Sequence, residues 1–363
     1  MSPLETSSES TPSATTVLWP DPKRQAVFGY WLESLPATLG LRPDSLRHAS
    51  ADASFRRYLR VDGTQRSYII MDAPPAHEDC APFVHVAALM HDAGLRVPTV
   101  LNWEREHGFL LLDDLGQRTL LQALDRDNVP ACRTSYLQAV EALLTWQRAS
   151  RPGALPPYDD ALLQRELDLF PTWYLMQHRG ITISSAMQST LQQQFALIKA
   201  DNLSSASVYV HRDFMPRNFI VSDDPSDARL GVVDFQDAVY GPISYDIASL
   251  LRDAFISWDE DFVLDITVRY WEGARRSGLP VPEDFGAFYR AVEWMGLQRH
   301  LKVAGIFARL SLRDGKPQYL ADVPRFIRYI HGTCARYREL APLRRLIEDV
   351  EQMPVQHVTH IGR

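Results

Sequence analysis

The stretch VYVHRDFMPRNFIV, followed after a short polar interval by LGVVDFQD, sets His211, Asp213, Asn218 and Asp234 at fixed offsets along one strand, one loop and one hairpin. Residues 207–210 alternate as a strand does, so they carry His211 and Asp213 onto a loop in which Pro216 prevents a regular ladder. Asn218 opens a second strand over 219–221. The polar segment SDDPSDAR at 222–229 has Asp and Pro where a hairpin turn wants them, and the apolar run 230–233 returns to deliver Asp234 beside Asn218. Two oxygen-bearing side chains therefore meet at one rim, with a third on the preceding loop. Moving a γ-phosphoryl group needs these parts: a base to orient the attacking hydroxyl and oxygen ligands to hold magnesium against the phosphates. Asp213 suits the base, Asn218 and Asp234 suit the metal, and ATP with magnesium is the expected cofactor pair.

A chain of 363 residues exceeds the usual size of one compact domain, which favours two lobes with a cleft between them. The net charge of −7 argues against a nucleic-acid-binding surface and confines phosphate contacts to local basic groups. Cys80, Cys132 and Cys334 are odd in number and lack metal-ligand spacing, so they read as reduced, buried thiols of a cytoplasmic protein. The N-terminus has neither the basic start nor the apolar core of a signal peptide, and no later run approaches membrane-spanning length. Residues 1–18 and 354–363 are expected to be tails, the first of them disordered.

Between the tails, residues 19–115 read as a small sheet-rich lobe. Apolar residues recur at helical spacing over 24–35; strands follow over 47–52, 57–61 and 67–71, with turns at Ala53-Ser54-Phe55-Arg56 and Asp62-Gly63. Backbone N–H groups and Ser54 in the first turn could cover phosphates, although no glycine run is present. A helix over 80–93 precedes the strand 109–112, which ends in Asp113-Asp114-Leu115-Gly116, either an adenine-binding hinge or a solvated turn. Residues 116–353 read as a larger, mainly helical lobe, with helices over 134–150, 160–179, 186–200, 259–277, 282–307 and 318–340. The expected class is α+β. Only ten residues separate Asp234 from a helix over 245–255, which leaves no room for a protein-kinase activation segment. Asp246, in the first turn of that helix, suits the helix dipole and could also brace the catalytic loop.

HRDFMPRN, DFQDAVYGP and SYDIASLLRD together resemble the aminoglycoside phosphotransferase family, with the likeness extending over about residues 50–340. The resemblance implies a two-lobed protein-kinase-like fold and phosphorylation of a small molecule. ADASFRRYLRV, IIMDAPP, DFQDAVYGPISYD and QRHLKVAGIFARLSLRDGKPQYL narrow the likeness to cell-wall amino-sugar kinases acting on the anomeric hydroxyl of N-acetylmuramate and N-acetylglucosamine. Carried onto this sequence, it implies that Asp213 takes the proton of the sugar hydroxyl, that Asn218 and Asp234 hold magnesium, and that His211 packs beneath the loop. It further implies that Ser54, Phe55, Arg56 and Arg57 cover the triphosphate and that Asp113, Asp114 and Leu115 form the adenine hinge. The runner-up substrates are other small hydroxyl compounds, such as an aminoglycoside, choline or homoserine; a nucleotide-binding pseudokinase is the alternative outside enzymes. Oligomeric state stays open.

Two departures from the general kinase pattern stand out. Met71 falls where a small-lobe lysine would grip the α- and β-phosphates, so Arg56 or Arg57 is expected to supply that charge. Arg212 and Arg217 flank the catalytic aspartate where many family members carry glycine, and either could stabilise the transferring phosphoryl group. For the sugar, Arg299, His300, Arg309 and Arg313 lie in the family-like helical segment, and a lactyl carboxylate favours an arginine partner. Trp258, Trp271 and Trp294 read as core residues.

Overall fold

The structure, a computed structural model, describes residues 17–19, 21–50, 56–224 and 226–353. Ala53, Ser54 and Phe55 of the expected phosphate-covering turn lie outside the described residues, as do residues 1–16 and 354–363; Val17 and Leu18, expected in the first tail, are described, and Val17 is buried. The chain divides into two compact units, one holding the residues up to Asp92 together with Arg96–Gln117, the other holding Ala93–Leu95 and everything from Arg118 onward.

In the first unit, α1 (Pro22–Ser34) starts two residues before the expected helix. Pro22 has no N–H to lose in the first turn, and the Asp21 side chain accepts from Lys23 N. Five strands follow, interrupted by α2 (Ala81–Asp92): β1 (Arg42–Ser50), β2 (Arg57–Asp62), β3 (Ser67–Asp72), β4 (Val100–Glu104) and β5 (Phe109–Asp113). They form one antiparallel sheet in the order β1-β2-β3-β5-β4. β1 begins five residues earlier than its alternation suggested, because an edge strand needs only backbone pairing: Arg42 opposes Asp62, with register shifts before Arg47 and after His48. The β2–β3 turn requires glycine, since a Cβ on Gly63 would lie 2.6 Å from the Leu39 carbonyl oxygen.

One face of this sheet, formed by Leu59, Val61, Tyr68, Ile70, Phe109 and Leu111, packs against Phe28, Trp31 and Leu32 of α1. Asp72 ends β3 fully buried. Its Oδ1 accepts from Arg24 Nε (2.9 Å) and Nη2 (2.5 Å), and its Oδ2 accepts from Nε (2.9 Å) and Nη2 of Arg57. A single carboxylate thus ties α1 to two strands.

The second unit is mainly helical: α3 (Leu120–Ala123), α4 (Val129–Arg148), α5 (Asp160–Leu167), α6 (Ser185–Ser204), α7 (Tyr245–Leu251), α8 (Glu260–Arg276), α9 (Phe285–Leu312), α10 (Val323–Arg336) and α11 (Ala341–Glu351). Four short strands, β6 (Ser207–Val210), β7 (Phe219–Ile220), β8 (Gly231–Val232) and β9 (Val239–Pro242), form two antiparallel pairs, β6-β9 and, nested between them in sequence, the hairpin β7-β8. The single helix expected over 160–179 divides into α5 and a wider π-helical segment, Phe170–His178, with Pro171 in its first turn. There α9 approaches so closely that a Cβ on Gly305 would lie 2.4 Å from the Leu169 backbone. The expected helix 318–340 likewise resolves into a 3-10 turn (Pro317–Asp322), α10 and a second 3-10 turn (Arg338–Leu340). α9 runs through the core against Phe170, Tyr174, Phe195, Phe326 and Ile330, and buries Trp294; Trp258 and Trp271 are only half-buried. Among the described residues no helix is long and apolar enough to cross a membrane.

Asp72→Ala would leave two guanidinium groups facing each other without a counter-charge. It is expected to lower unfolding stability by about 3–5 kcal/mol, read from the shift of the urea midpoint.

Candidate active site

The centre of the site is the turn after β6. The strand ladder stops at Val210, so the next backbone N–H groups need other acceptors, and the buried Asp246 carboxylate at the start of α7 supplies both: Oδ2 accepts from His211 N (2.7 Å) and Oδ1 from Arg212 N (3.0 Å). Burial pushes the Asp246 carboxyl up to about 7, against the pull of these two donors. Of the two roles open to Asp246, the brace is realised. Its helix ends at Leu251, four residues before the expected end, and a loop over 252–259 follows.

His211 is fully buried. Its Nε2 faces Val233 O at 3.1 Å and its Nδ1 accepts from Asp213 N at 3.3 Å, so the proton sits on Nε2 and the neutral ring links the loop to the strand before Asp234. Burial holds its pKa down to about 4. Asp213 is half-buried, and its carboxylate receives no side-chain hydrogen bond among the described residues.

Pro216–Asn218 form a 3-10 turn that leads into β7. Phe219 opposes Val232, and Val233 N donates to Asn218 O (3.1 Å), which brings Asn218 alongside Asp234 as the hairpin reading expected. Asn218 Nδ2 donates to Asp213 O (2.8 Å) and to Asp234 Oδ2 (3.2 Å), so its Oδ1 points the other way. Asp234 adopts φ 66°, a left-handed conformation that aspartate tolerates better than most residues, and its Oδ1 accepts from Gln236 Nε2 (3.0 Å). A carboxylate and an amide lie side by side at this rim, and oxygen donors of these two kinds suit magnesium; Asp234, with Asn218 once its amide turns Oδ1 toward the ion, would hold it.

Arg212 is also left-handed, at φ 77°, which for an arginine carries strain on the order of 1–3 kcal/mol. It is held at every end. Besides the N–H on Asp246, its carbonyl accepts from Arg299 Nη1 (2.7 Å) and its Nη2 donates to Glu166 (2.5 Å). Glu166 also accepts from Lys302 Nζ (2.7 Å), Gln298 Nε2 (2.9 Å) and the Tyr158 hydroxyl. Burial raises the Glu166 carboxyl, but Lys302 and Arg212 outweigh it and hold the pKa down to about 2.

Glu166, Gln298 and Lys302 were not singled out from the sequence. The available signal was their placement on the apolar faces of α5 and α9, beside Leu163, Leu167, Leu301 and Ala304.

Two residues considered for the sugar pocket are buried in α9, and only Arg299 reaches the loop. Arg299 is fully buried against the Tyr245 ring (4.8 Å) and donates to Arg212 O; His300 faces Arg252 O (3.2 Å), stacks on Tyr329, and is held down to about 3 by burial. Arg309 is half-buried farther along α9, and Arg313 pairs with Asp314. Arg217 sits on the 3-10 turn, with its guanidinium 4.9 Å over the Phe255 ring.

The remaining candidates belong to the first unit. Asp113 Oδ1 accepts from Thr99 N (2.5 Å). Asp114 accepts from Arg60, from Ser67 Oγ (2.7 Å) and from Gly116 N (3.0 Å), so it is a structural anchor of that turn. Leu115 O accepts from Arg96 (2.7 Å). Arg56 pairs with Glu78 (2.8 Å), whereas Arg57 is bound to Asp72.

The profile of the phosphotransferase enzyme family matches residues 45–281. The N-acetylmuramate/N-acetylglucosamine kinase of Pseudomonas aeruginosa is 47% identical over 310 residues, 85% of this chain and 90% of the relative; that of Neisseria meningitidis is 46% identical over 330 residues, 90% and 96%. Among solved structures, a choline/ethanolamine kinase family protein from Mesorhizobium loti superposes with a TM-score of 0.59 at 14% identity, covering 89% of this chain and 99% of that one. This places the fold in the protein-kinase-like class.

Asp246→Asn keeps the shape but turns an amide N–H toward a backbone N–H. The expected outcome is a loss on the order of 1–3 kcal/mol in urea unfolding. For His211 the unfolded ring takes its proton first as pH falls, because its pKa drops from 6.5 to about 4 on folding. Its stabilising contribution is therefore complete above pH 6.5 and disappears toward pH 4. In urea midpoints measured across that window, His211→Gln should show a deficit against the native chain that shrinks as pH falls.

Proposed function

The chain belongs to the phosphotransferase enzyme family, and on that premise we propose that it transfers the γ-phosphoryl group of ATP to the anomeric hydroxyl of N-acetylmuramate and N-acetylglucosamine, in cell-wall recycling in the cytoplasm. The observation that carries this reading is the meeting of Asp213, Asn218 and Asp234 on a loop braced by Asp246, in a chain 46–47% identical to relatives named for these two sugars.

In this reading Asp213 accepts the proton of the C1 hydroxyl as its oxygen attacks the γ-phosphorus, the bond to the bridging oxygen breaks, and ADP leaves. Magnesium, when bound, neutralises charge on the β- and γ-phosphates. Asn218 and Asp234 present oxygens for it, and Arg217 lies four residues from the base, where a guanidinium can stabilise charge on the transferring group. His211 sets the turn that aims Asp213, and Asp113 with Leu115 lies at the end of β5 where an adenine edge would pair with the backbone.

Purified protein with ATP and magnesium should convert each sugar to an acid-labile 1-phosphate, seen by phosphorus resonance, with one ADP formed per product. Turnover of an aminoglycoside, choline or homoserine with neither amino sugar accepted would reject the substrate assignment. Asp213→Ala should lower kcat by about 10²–10⁴-fold with a much smaller change in ATP affinity. Full turnover by that variant would reject the base.

A further inference from the structure

The turn that presents Asp213 holds Arg212 at φ 77°, a conformation that glycine adopts without strain and arginine does not. The backbone hydrogen bonds made there, Arg212 N to Asp246 and Arg299 Nη1 to Arg212 O, need no side chain at this position. The arginine therefore has to be explained by what its guanidinium does.

A guanidinium beside the base could meet the transferring phosphoryl group, but this one is engaged elsewhere. Its Nη2 donates to Glu166 Oε1 (2.5 Å), its Nη1 donates more weakly to Asp237 O (3.4 Å), and its Nε is closed off from solvent. Asp237 lies three residues after Asp234 and two before β9. The side chain thus bridges the loop of the base to the segment that follows the expected metal ligand. Asn218 makes a separate bridge between the same two parts, from Asp213 O to Asp234 Oδ2.

Glu166 is the fixed end of the Arg212 bridge. Its Oε1 also accepts from Lys302 Nζ (2.7 Å), and its Oε2 accepts from Gln298 Nε2 (2.9 Å) and the Tyr158 hydroxyl. Tyr158 is itself tied to β9: its N–H donates to Tyr240 O (2.8 Å), while Tyr240 N donates to Pro156 O (2.7 Å). One buried carboxylate is pinned to α9 and to the segment beside β9, and the planar fork of Arg212 spans from it to the Asp237 carbonyl.

We propose that Arg212, anchored by Glu166, is a positioning residue that fixes the spacing between the base Asp213 and the metal-binding Asp234, and that it is not a phosphate-binding cation. This rests on the phosphoryl-transfer reading above and deepens it. Arg212 acts through the loop backbone and the Asp237 carbonyl.

Steady-state kinetics of the full chain with ATP, magnesium and either amino sugar test this, alongside melting temperature. Arg212→Gly keeps the left-handed turn and both backbone hydrogen bonds while removing the guanidinium. Assayed where native and variant chains are both folded, its kcat should fall about tenfold or more, with both KM values within about twofold of native. Arg212→Lys, whose single ammonium can pair with Glu166 without bridging to Asp237 O, should recover part of kcat. Glu166→Gln should show the same split, and Arg212→Gly combined with Glu166→Gln should lose about as much as the larger single change. Native kcat in Arg212→Gly overturns the proposal. So does a loss confined to the ATP KM, which marks a phosphate-binding guanidinium, or a rise in both KM values that matches the fall in kcat, which marks general disorder. Multiplying losses in the double variant overturn the part given to Glu166. A native chain that phosphorylates another hydroxyl compound and neither sugar refutes the substrate assignment alone, because the kcat comparison with that acceptor still decides Arg212. A native chain that transfers phosphate to no acceptor refutes both.

Discussion

The catalytic loop depends on one buried carboxylate. When β6 ends at Val210 the chain must turn to present Asp213, and a turn leaves N–H groups that water cannot reach. Asp246 accepts two of them at once, from a helix start whose dipole favours an acid. That brace fixes the backbone on either side of Arg212, so His211 points inward to Val233 O and the Asp213 carboxylate receives no side-chain hydrogen bond among the described residues. Asn218 then reaches Asp213 O and Asp234 together, which couples the loop to the hairpin.

Such a loop stores strain, and the structure offsets it with charge. Arg212 and Asp234 both hold positive φ, and the first is secured by Glu166 through its side chain and by Arg299 through its carbonyl. Glu166 is buried with two cations and two neutral donors, so its desolvation is compensated by a complete set of partners. Gln298, Arg299 and Lys302 lie within about one turn of α9, a helix otherwise packed in the hydrophobic core. The rigidity of that core is thereby transmitted to the loop that carries Asp213. The first unit uses the same device once more, where Asp72 gathers Arg24 and Arg57 on the α1 face of the sheet.

Much of the site was legible because its parts are close in sequence. His211, Asp213, Asn218 and Asp234 span few residues, and strand alternation with a polar turn is enough to bring Asn218 and Asp234 together. The helical pattern after residue 118 was legible for the same reason, since apolar spacing is local. It misjudged where helices stop, because the breaks at Pro171 and after Leu251 depend on what packs there: Gly305 of α9 against the Leu169 backbone, and loop partners for 252–259.

The sequence by itself determined the class of enzyme and singled out the candidate residues for its chemistry, since phosphoryl transfer demands oxygen ligands and a base at offsets that one short hairpin can satisfy. Only the tertiary structure decided which charged residues serve the loop and which serve the fold. Glu166 meets Lys302 across 136 positions of chain, and Arg57 faces the buried carboxylate that α1 also holds while Arg56, its neighbour in sequence, pairs with Glu78. A guanidinium has the same pattern signature whether it clamps a buried aspartate, carries a strained turn or pairs with a surface acid. Its role is set by the partner it is packed against, and that partner comes from elsewhere in the chain.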